Sequence, residues 1–236
     1  MLLLSIDTSG RSGSIALAHG DEDGTCEVME VVPLTGGTFS AQLVPQIAAL
    51  LAKHGFTKLD ISAFTVASGP GSFTGLRIGL AAIKALAEIL EKPIATVSLL
   101  EAVAVGAKAQ GRVLSLLDAG RRELYRGDYE ITSHGAQLRS EMLLTREEVF
   151  AEMRELQLRK SHDPAVPKST AATSDKAIVE AAGSAGLEVL LVESIDAGAI
   201  ARLGFRKIPG QTVSPEQLEA NYIRRTDAEI LAKVNS

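Results

Sequence analysis

The sequence predicts an α/β protein of two similar lobes, each a mixed β-sheet packed with helices. Three observations support this fold class: an opening series of three strand-like segments, an alternation of helices and strands after it, and a partial repeat of the opening pattern in the second half. With 46% hydrophobic residues, the chain can build a substantial core. We expect an N-terminal lobe at residues 1–105 and a C-terminal lobe at residues 106–236.

The opening segments are LLLSID, SIALAHG and CEVMEVV, separated by the turn clusters TSGRSG and DEDGT. Short apolar runs between such clusters predict an antiparallel meander. The next segment, FSAQLVPQIAALLAKHG, has Leu43, Ile47, Leu50 and Leu51 at helical spacing, and Gly55 is a natural end for that helix.

Strands and helices then alternate. ISAFTVAS predicts a buried strand, and residues 76–91 predict a second helix that Pro93 stops. SLLE at Ser98–Glu101 is a capping box and predicts a helix to about Gln110. Three antiparallel strands followed by this alternation are typical of an actin-like, ribonuclease-H-like lobe.

The second lobe begins with a partial repeat of the first. Leu4–Ala18 and Leu114–Tyr129 both consist of an apolar strand, an aspartate, a glycine-containing turn, an arginine and a second strand; Asp118 lies 111 residues after Asp7. Two such beginnings predict two related lobes, with a chance match as the alternative.

The remainder of the second lobe contains less regular patterns. TREEVFAEMRELQ predicts an amphipathic helix with a capping box of Thr145 and Glu148. Residues 158–175 have low hydrophobicity and no periodicity, so we expect a surface loop there. Residues 176–206 predict a helix, the short strand EVLLVE and another helix.

Composition excludes several classes of function. A net charge of −5 lacks the basic excess of a stand-alone nucleic-acid-binding protein. The single Cys26 forms no internal disulfide, and the four histidines form no zinc-binding pair, so we expect no metal site. No apolar run reaches the roughly 20 residues of a membrane helix. We expect a soluble cytoplasmic protein.

The strongest candidates for chemistry are Asp7 and Asp118, each at the end of an apolar strand beside a flexible turn. Carboxylates in this position can hold Mg²⁺ while turn amides meet phosphate oxygens, and Thr8 and Ser9 would add hydroxyl donors. The alternative is that each aspartate only initiates a turn by binding its own backbone two residues on.

The glycine-rich stretch SGPGSFTGLRIG, Ser68–Gly79, is the second candidate. Amides of Ser72, Phe73 and Thr74 at a helix N-terminus could contact an anion. A phosphate-binding P-loop requires GxxxxGK[ST], whereas Arg77 follows Gly75 and Leu76 here. The residues therefore favour a tight strand-to-helix turn, with Ser72 or Thr74 as N-cap.

The helix that follows, LRIGLAAIKALAEILE, is more apolar than one buried face requires. Either it is enclosed within its own lobe or its outer side contacts another protein. On the second interpretation, the partner surface on this helix and the preceding one consists of Leu43, Ile47, Leu50, Leu76, Leu80, Ala82, Ile83, Ala85 and Leu86.

These residues resemble the bacterial TsaB family, formerly YeaZ. The matching motifs are IDTSG, SGPGSFTGLRIG, VSLLEAVA, LLDAGRRELYRGDYE and EANYIRR; they cover residues 1 to about 130 and Glu219–Arg225. The resemblance implies the actin-like ATPase fold. It also implies a damaged nucleotide or anion site at Asp7, Thr8, Ser9, Ser72, Phe73, Thr74 and Asp118. Phe39 stands where family members often have a histidine, which puts any role of that histidine in doubt here.

The resemblance further implies a non-catalytic accessory subunit for making N6-threonylcarbamoyladenosine (t6A) at position 37 of tRNAs that read ANN codons. Its expected partners are a TsaD-type transferase, which it would activate, and a TsaE-type ATPase; the free chain would form a homodimer, and tRNA would be contacted only through the complex. No intrinsic cofactor is expected, although ATP with Mg²⁺ could lie at the partner interface. The alternatives are a self-sufficient ATPase or kinase using Asp7 and Asp118 around Mg²⁺, and a zinc peptidase, for which the histidine pair is missing.

Overall fold

The computed structural model describes residues 1–35, 37–162 and 169–223. The chain forms two compact units: Met1–Ala102 with Ser194–Ala220, and Val103–Glu193 with residues 221–223. The helices in the described ranges are α1 (Phe39–Lys53), α2 (Phe73–Leu90), α3 (Leu99–Gly106), α4 (Arg146–His162), α5 (Lys176–Ser184) and α6 (Ala197–Lys207).

The first unit is built on a five-stranded mixed sheet of order β3-β2-β1-β4-β5. The strands are β1 (Leu2–Asp7), β2 (Gly13–Gly20), β3 (Cys26–Leu34), β4 (Ile61–Gly69) and β5 (Ile94–Ser98). β1, β2 and β3 form the predicted antiparallel meander, and β1, β4 and β5 run parallel. The predicted class of mixed sheet packed with helices is therefore confirmed.

Helices cover both faces of this sheet. α1 and α2 pack on one face, where Leu4, Ile6 and Phe64 of the strands join Leu43 and Ile83 of the helices in one core. α6 packs on the other face. Neighbouring residues of a strand point to opposite faces, so the helices on the two sides together bury every residue of β1.

The position of α6 corrects the expected lobe boundary, since residues 194–220 belong to the first unit rather than the second. Small residues allow α6 to approach the sheet closely: a Cβ added at Gly204 would lie 2.4 Å from Cγ2 of Thr65. The start of the helix is fixed by the Ala197 amide, which donates to Oγ of Ser14 at 2.8 Å, and by Asp196, which accepts from the Ala199 amide.

The second unit repeats the topology of the first. Its five-stranded sheet has the order β10-β9-β6-β7-β8, formed by β6 (Gly111–Gly120), β7 (Glu123–Thr132), β8 (Gly135–Thr145), β9 (Thr170–Thr173) and β10 (Leu190–Leu191). In both sheets the order is third, second, first, fourth and fifth strand, with an antiparallel meander followed by parallel strands. The internal repeat predicted from Asp7 and Asp118 is thus present in the fold.

The core of the second unit lies between its sheet and the helices α4 and α5, where Leu114 and Leu124 meet Val149, Met153 and Ile178. The predicted capping box of α4 is formed. The Thr145 amide donates to the Glu148 carboxylate at 2.7 Å, and the Glu148 amide donates to Oγ1 of Thr145 at 3.2 Å.

A partly buried ionic network also connects α4 to this sheet. Arg112 donates to both carboxylate oxygens of Asp128, at 3.0 and 2.8 Å, and Asp128 is only 7% exposed. Glu152 of α4 accepts from Arg112 at 3.2 Å and lies 3.1 Å from Nε of Arg126. Hydrogen bonding to Asp128 raises the pKa of Arg112, so this guanidinium remains charged.

Two element boundaries differ from the sequence prediction. α3 ends at Gly106 rather than near Gln110, because Lys108 adopts a left-handed conformation with φ of 51°. The segment expected as a loop at 158–175 contains the end of α4 and the strand β9; its residues 163–168 lie outside the described ranges. Among the described residues, no helix is long and apolar enough to cross a membrane.

Candidate functional site

The turn after β1 is organised by Asp7. Its Oδ1 accepts hydrogen bonds from the Ser9 amide at 2.9 Å and from the Ser9 hydroxyl at 2.5 Å. Asp7 is only 6% exposed; burial raises the pKa of its carboxyl group, the two bonds from Ser9 oppose this, and the charge of Asp196 adds to it. This is the geometry of an aspartate that folds its own turn.

The glycine-rich stretch is the turn between β4 and α2. α2 begins at Phe73 rather than at residue 76, and Ser72 is its N-cap, accepting at Oγ from the Gly75 amide at 3.2 Å. The Ser72 amide donates to the Ser9 carbonyl at 2.6 Å, and Oγ1 of Thr8 donates to the Gly75 carbonyl at 2.7 Å. The start of α2 is therefore bonded directly to the turn after β1.

Three glycines make this contact sterically feasible. A Cβ added at Gly71 would lie 2.5 Å from the Ser9 carbonyl oxygen, one at Gly75 would lie 2.0 Å from the Thr8 carbonyl oxygen, and one at Gly79 would lie 2.4 Å from Oγ1 of Thr8. Their spacing of four places them along one side of the chain as it enters and forms α2. The space beside this stretch is filled by backbone and side-chain atoms of Thr8 and Ser9.

This arrangement does not fit a phosphate group between β1 and α2. A phosphate-binding loop leaves its amides open to the ligand, whereas Ser72 and Gly75 amides here bond to the protein and the glycines contact Thr8 and Ser9. We therefore interpret the stretch as a strand-to-helix turn. Anion contact through Ser72, Phe73 and Thr74 stays a prediction.

The other candidate residues lie as follows. Ser72 and Thr74 are exposed, and the Phe73 ring is covered by the Arg77 guanidinium at 3.6 Å from the ring centroid. Asp118 is exposed near the end of β6 in the second unit. Within residues 1–35, 37–162 and 169–223, no three His, Cys, Asp or Glu residues are grouped so that they could hold a metal ion.

The structure corrects most of the expected partner surface. Six of its residues belong to the core of the first unit and are no more than 7% exposed: Leu43, Ile47, Leu50, Leu76, Leu80 and Ile83. They are buried because the larger apolar side chains of both helices face the sheet. Ala82 and Leu86 are half-buried against the same core, and Ala85 is exposed.

A different apolar surface lies on the solvent-facing sides of α1 and α2. Val44 is 66% exposed and Ile89 is 72% exposed. The exposed alanines of the two helices are Ala41, Ala48, Ala49, Ala52, Ala81 and Ala85. We call these eight residues the outer α1/α2 surface. The sequence does contain a signal for this surface, a second apolar stripe at helical spacing such as Ala81, Ala85 and Ile89. It was missed because the larger core residues of the same helices give a stronger apolar pattern.

Comparisons with known proteins indicate the family to which this chain is related. The family model of TsaD, described as tRNA N6-adenosine threonylcarbamoyltransferase, matches residues 31–186. The chain is 36% identical over 131 residues to the tRNA threonylcarbamoyladenosine biosynthesis protein TsaB of Bacillus subtilis, covering 55% of this chain and 56% of that protein. It is 32% identical over 241 residues to the protein of the same name in Escherichia coli, covering 97% of this chain and 96% of the relative.

Solved structures give the same result. YeaZ from Pseudomonas aeruginosa superimposes with a TM-score of 0.68 at 26% identity, over 93% of this chain and 100% of that chain. A second Pseudomonas aeruginosa structure, described as an uncharacterized protein with similarity to peptidase YEAZ, has a TM-score of 0.70 at 26% identity, over 94% of this chain and 99% of that one. Since the match to the Escherichia coli protein also extends over nearly the whole of both chains, this chain belongs to the TsaB (YeaZ) family.

Proposed function

We propose that this chain is a non-catalytic accessory subunit that binds and activates a TsaD-type transferase during formation of t6A at adenosine 37 of tRNAs reading ANN codons. Membership of the TsaB family supports a role in this tRNA modification. The observation that carries the finer assignment is the outer α1/α2 surface, an exposed apolar area on two adjacent helices.

The geometry around Asp7 supports an accessory role rather than self-sufficient nucleotide chemistry. Asp7 accepts two hydrogen bonds from Ser9, and the turn between β4 and α2 is closed by contacts with Thr8 and Ser9. Calorimetry of the isolated chain with ATP and Mg²⁺ tests this point. Saturable binding accompanied by turnover would favour the alternative of an actin-like ATPase or kinase.

The outer α1/α2 surface has the character of a protein-binding surface. Contiguous exposed apolar area on a soluble protein commonly marks an interaction site. Small side chains such as Ala41, Ala48, Ala81 and Ala85 let a partner helix approach closely, while Val44 and Ile89 supply larger apolar contacts. A transferase that offers a complementary apolar face would bury these residues.

Substitution of exposed residues tests the assignment without disturbing the core. Ala85→Arg combined with Ile89→Arg places two like charges on the outer α1/α2 surface, at positions that tolerate polar groups because they are exposed. We expect affinity for the TsaD-type transferase to fall at least about tenfold, since a buried unpaired charge costs several kcal/mol. The control is Ala151→Arg, at an exposed alanine of α4 in the second unit.

Calorimetry measures the association, and t6A formation by the reconstituted enzymes measures activation. Unchanged association of the double variant would refute the surface assignment. Failure of the unmodified chain to bind the transferase, or to restore t6A in cells depleted of TsaB, would refute the function itself.

The remaining features of the assembly are part of the same proposal. The free chain forms a homodimer in the cytoplasm, a TsaE-type ATPase joins the complex, and ATP with Mg²⁺ binds at the partner interface if it binds at all. If the homodimer also uses the outer α1/α2 surface, then Ala85→Arg with Ile89→Arg will make the free chain monomeric in analytical ultracentrifugation.

A further inference from the structure

The turn between β6 and β7 is unusual in its residues. Gly120 pairs with Glu123, which leaves Arg121 and Arg122 as a two-residue hairpin turn. Both arginines have left-handed backbones, with φ of 54° and 63°. Such turns favour Asn-Gly, because a left-handed backbone brings Cβ too close to the following carbonyl oxygen, a cost that glycine lacks and asparagine offsets by local hydrogen bonds. Two arginines are therefore present where the backbone alone would select other residues.

A third arginine is attached to this turn. Arg146 is the first residue of α4, and its amide donates to the Arg122 carbonyl at 2.9 Å. Its side-chain Nε is buried and has no hydrogen-bond partner among the described residues. A backbone hydrogen bond thus connects the turn to the first residue of α4, which brings a third arginine next to Arg121 and Arg122. We call Arg121, Arg122 and Arg146 the arginine turn.

The arginine turn has the acidic sequence neighbours Glu123, Glu147 and Glu148, but within the part of the chain that the structure describes it forms no ion pair with them. Across residues 1–35, 37–162 and 169–223, none of its three members forms an ion pair, although other arginines of this unit do. Glu148, two residues after Arg146, is held by Thr145 in the capping box. Arg121 and Arg122 are exposed, so their guanidinium groups are accessible to an anion in solution.

The chemistry of these groups selects phosphate oxygens. A guanidinium presents planar, paired donors that match phosphate in a bidentate fashion and remain charged at any physiological pH. With a net charge of −5, the chain cannot attract RNA through a general positive field, so its affinity for RNA must come from local contacts.

We propose that the arginine turn contacts backbone phosphates of tRNA when the chain is bound to its transferase. This inference rests on the proposed function, because that function brings the chain and tRNA into one complex. The contact is with phosphates and not with bases, so it adds affinity and positions the RNA without reading sequence.

The double variant Arg121→Asn with Arg122→Gly tests the contact. Asn-Gly is the preferred pair for this turn, so the variant removes two charges and should fold at least as stably as the parent chain. Binding of tRNA by the complex of chain and transferase is measured by fluorescence anisotropy over a series of salt concentrations. Loss of two phosphate contacts should reduce the slope of log K against log salt by roughly 1.4 to 1.8.

The matched control is Lys58→Gln with Lys92→Gln, which removes the same charge from the first unit. Association of each variant with the transferase is measured first without RNA. If the chain does not bind the transferase, the proposed function fails; if the complex forms and the Asn-Gly variant matches the control at every salt concentration, the arginine turn is refuted. Inorganic phosphate that binds the parent chain but not the Asn-Gly variant, with tRNA binding unchanged, would also overturn the RNA assignment.

Discussion

Replacement of Gly75 by alanine should destabilise the first unit although it places a better helix former in α2. The new Cβ would lie 2.0 Å from the Thr8 carbonyl oxygen, so the turn after β1 must move by about 1.4 Å to restore the 3.4 Å of ordinary contact. That movement breaks the bond from Oγ1 of Thr8 to the Gly75 carbonyl. Overpacking at about 3 kcal/mol and a lost hydrogen bond at about 1 kcal/mol exceed a helix-propensity gain of about 1 kcal/mol.

The net loss of about 3 kcal/mol corresponds to a fall of roughly 6–12 °C in the unfolding midpoint of this unit, measured by scanning calorimetry. Gly79→Ala should cost less, because its Cβ meets the hydroxyl of Thr8, which can rotate away. Gly183→Ala is the matched control in α5, where the added Cβ meets nothing within 4 Å; it should raise stability by about 0.5–1 kcal/mol. Equal or greater stability of Gly75→Ala relative to the parent chain would refute the close-approach interpretation.

Two further predictions concern charged groups. Asp7→Asn should raise the thermal midpoint at neutral pH. Burial raises the pKa of the Asp7 carboxyl group in the folded state, so the folded chain loses stability as the pH rises above 3.8, the ordinary pKa of this group. An amide oxygen can still accept from Ser9, and a midpoint that falls at pH 7 would contradict this reasoning. Asp128→Ala should cost about 3 kcal/mol in urea unfolding, since it leaves Arg112 without its bidentate partner in a mostly buried site; a loss below about 0.5 kcal/mol, typical of a surface substitution, would show that water replaces that partner.

Local sequence patterns were sufficient for most elements of the fold. Strand runs, turn clusters and capping signals predicted the first meander, the first two strands of the second and the positions of the helices, because these depend on neighbouring residues; they did not predict β5, β8 or β9. The position of α6 depends instead on a tertiary match. Gly198, Ala201 and Gly204 make that helix narrow enough to lie on the first sheet, and nothing local to residues 194–220 identifies which sheet they will cover.

The type of turn at Ser68–Gly79 could be predicted from the sequence, whereas the exposed residues of the partner surface could not. The missing P-loop lysine correctly favoured a strand-to-helix turn for Ser68–Gly79, and the contacts of Gly75 give the physical reason. The residues chosen for the partner surface were mostly the largest apolar ones, such as Leu43 and Ile83, and these are the residues that a sheet buries first. Exposed Val44 and Ile89 are apparent only once the orientation of the helices is known.

The two units use the same strand order but differ in what holds the turn after their first strand. In the first unit that turn is bonded to α2 through Thr8, Ser9 and the closely packed glycines. In the second, the helix after the fourth strand, α5, begins with Asp175 as its cap and without a glycine series, and the Arg121–Arg122 turn is bonded to α4 through the Arg146 amide. Both turns carry exposed arginines, Arg11 in the first unit and Arg121 with Arg122 in the second, but different helices hold them. Because the strand order is alike, the glycines at 71, 75 and 79 explain why the turn after β1 is bonded to the helix that follows the fourth strand, whereas the corresponding turn of the second unit is bonded to α4.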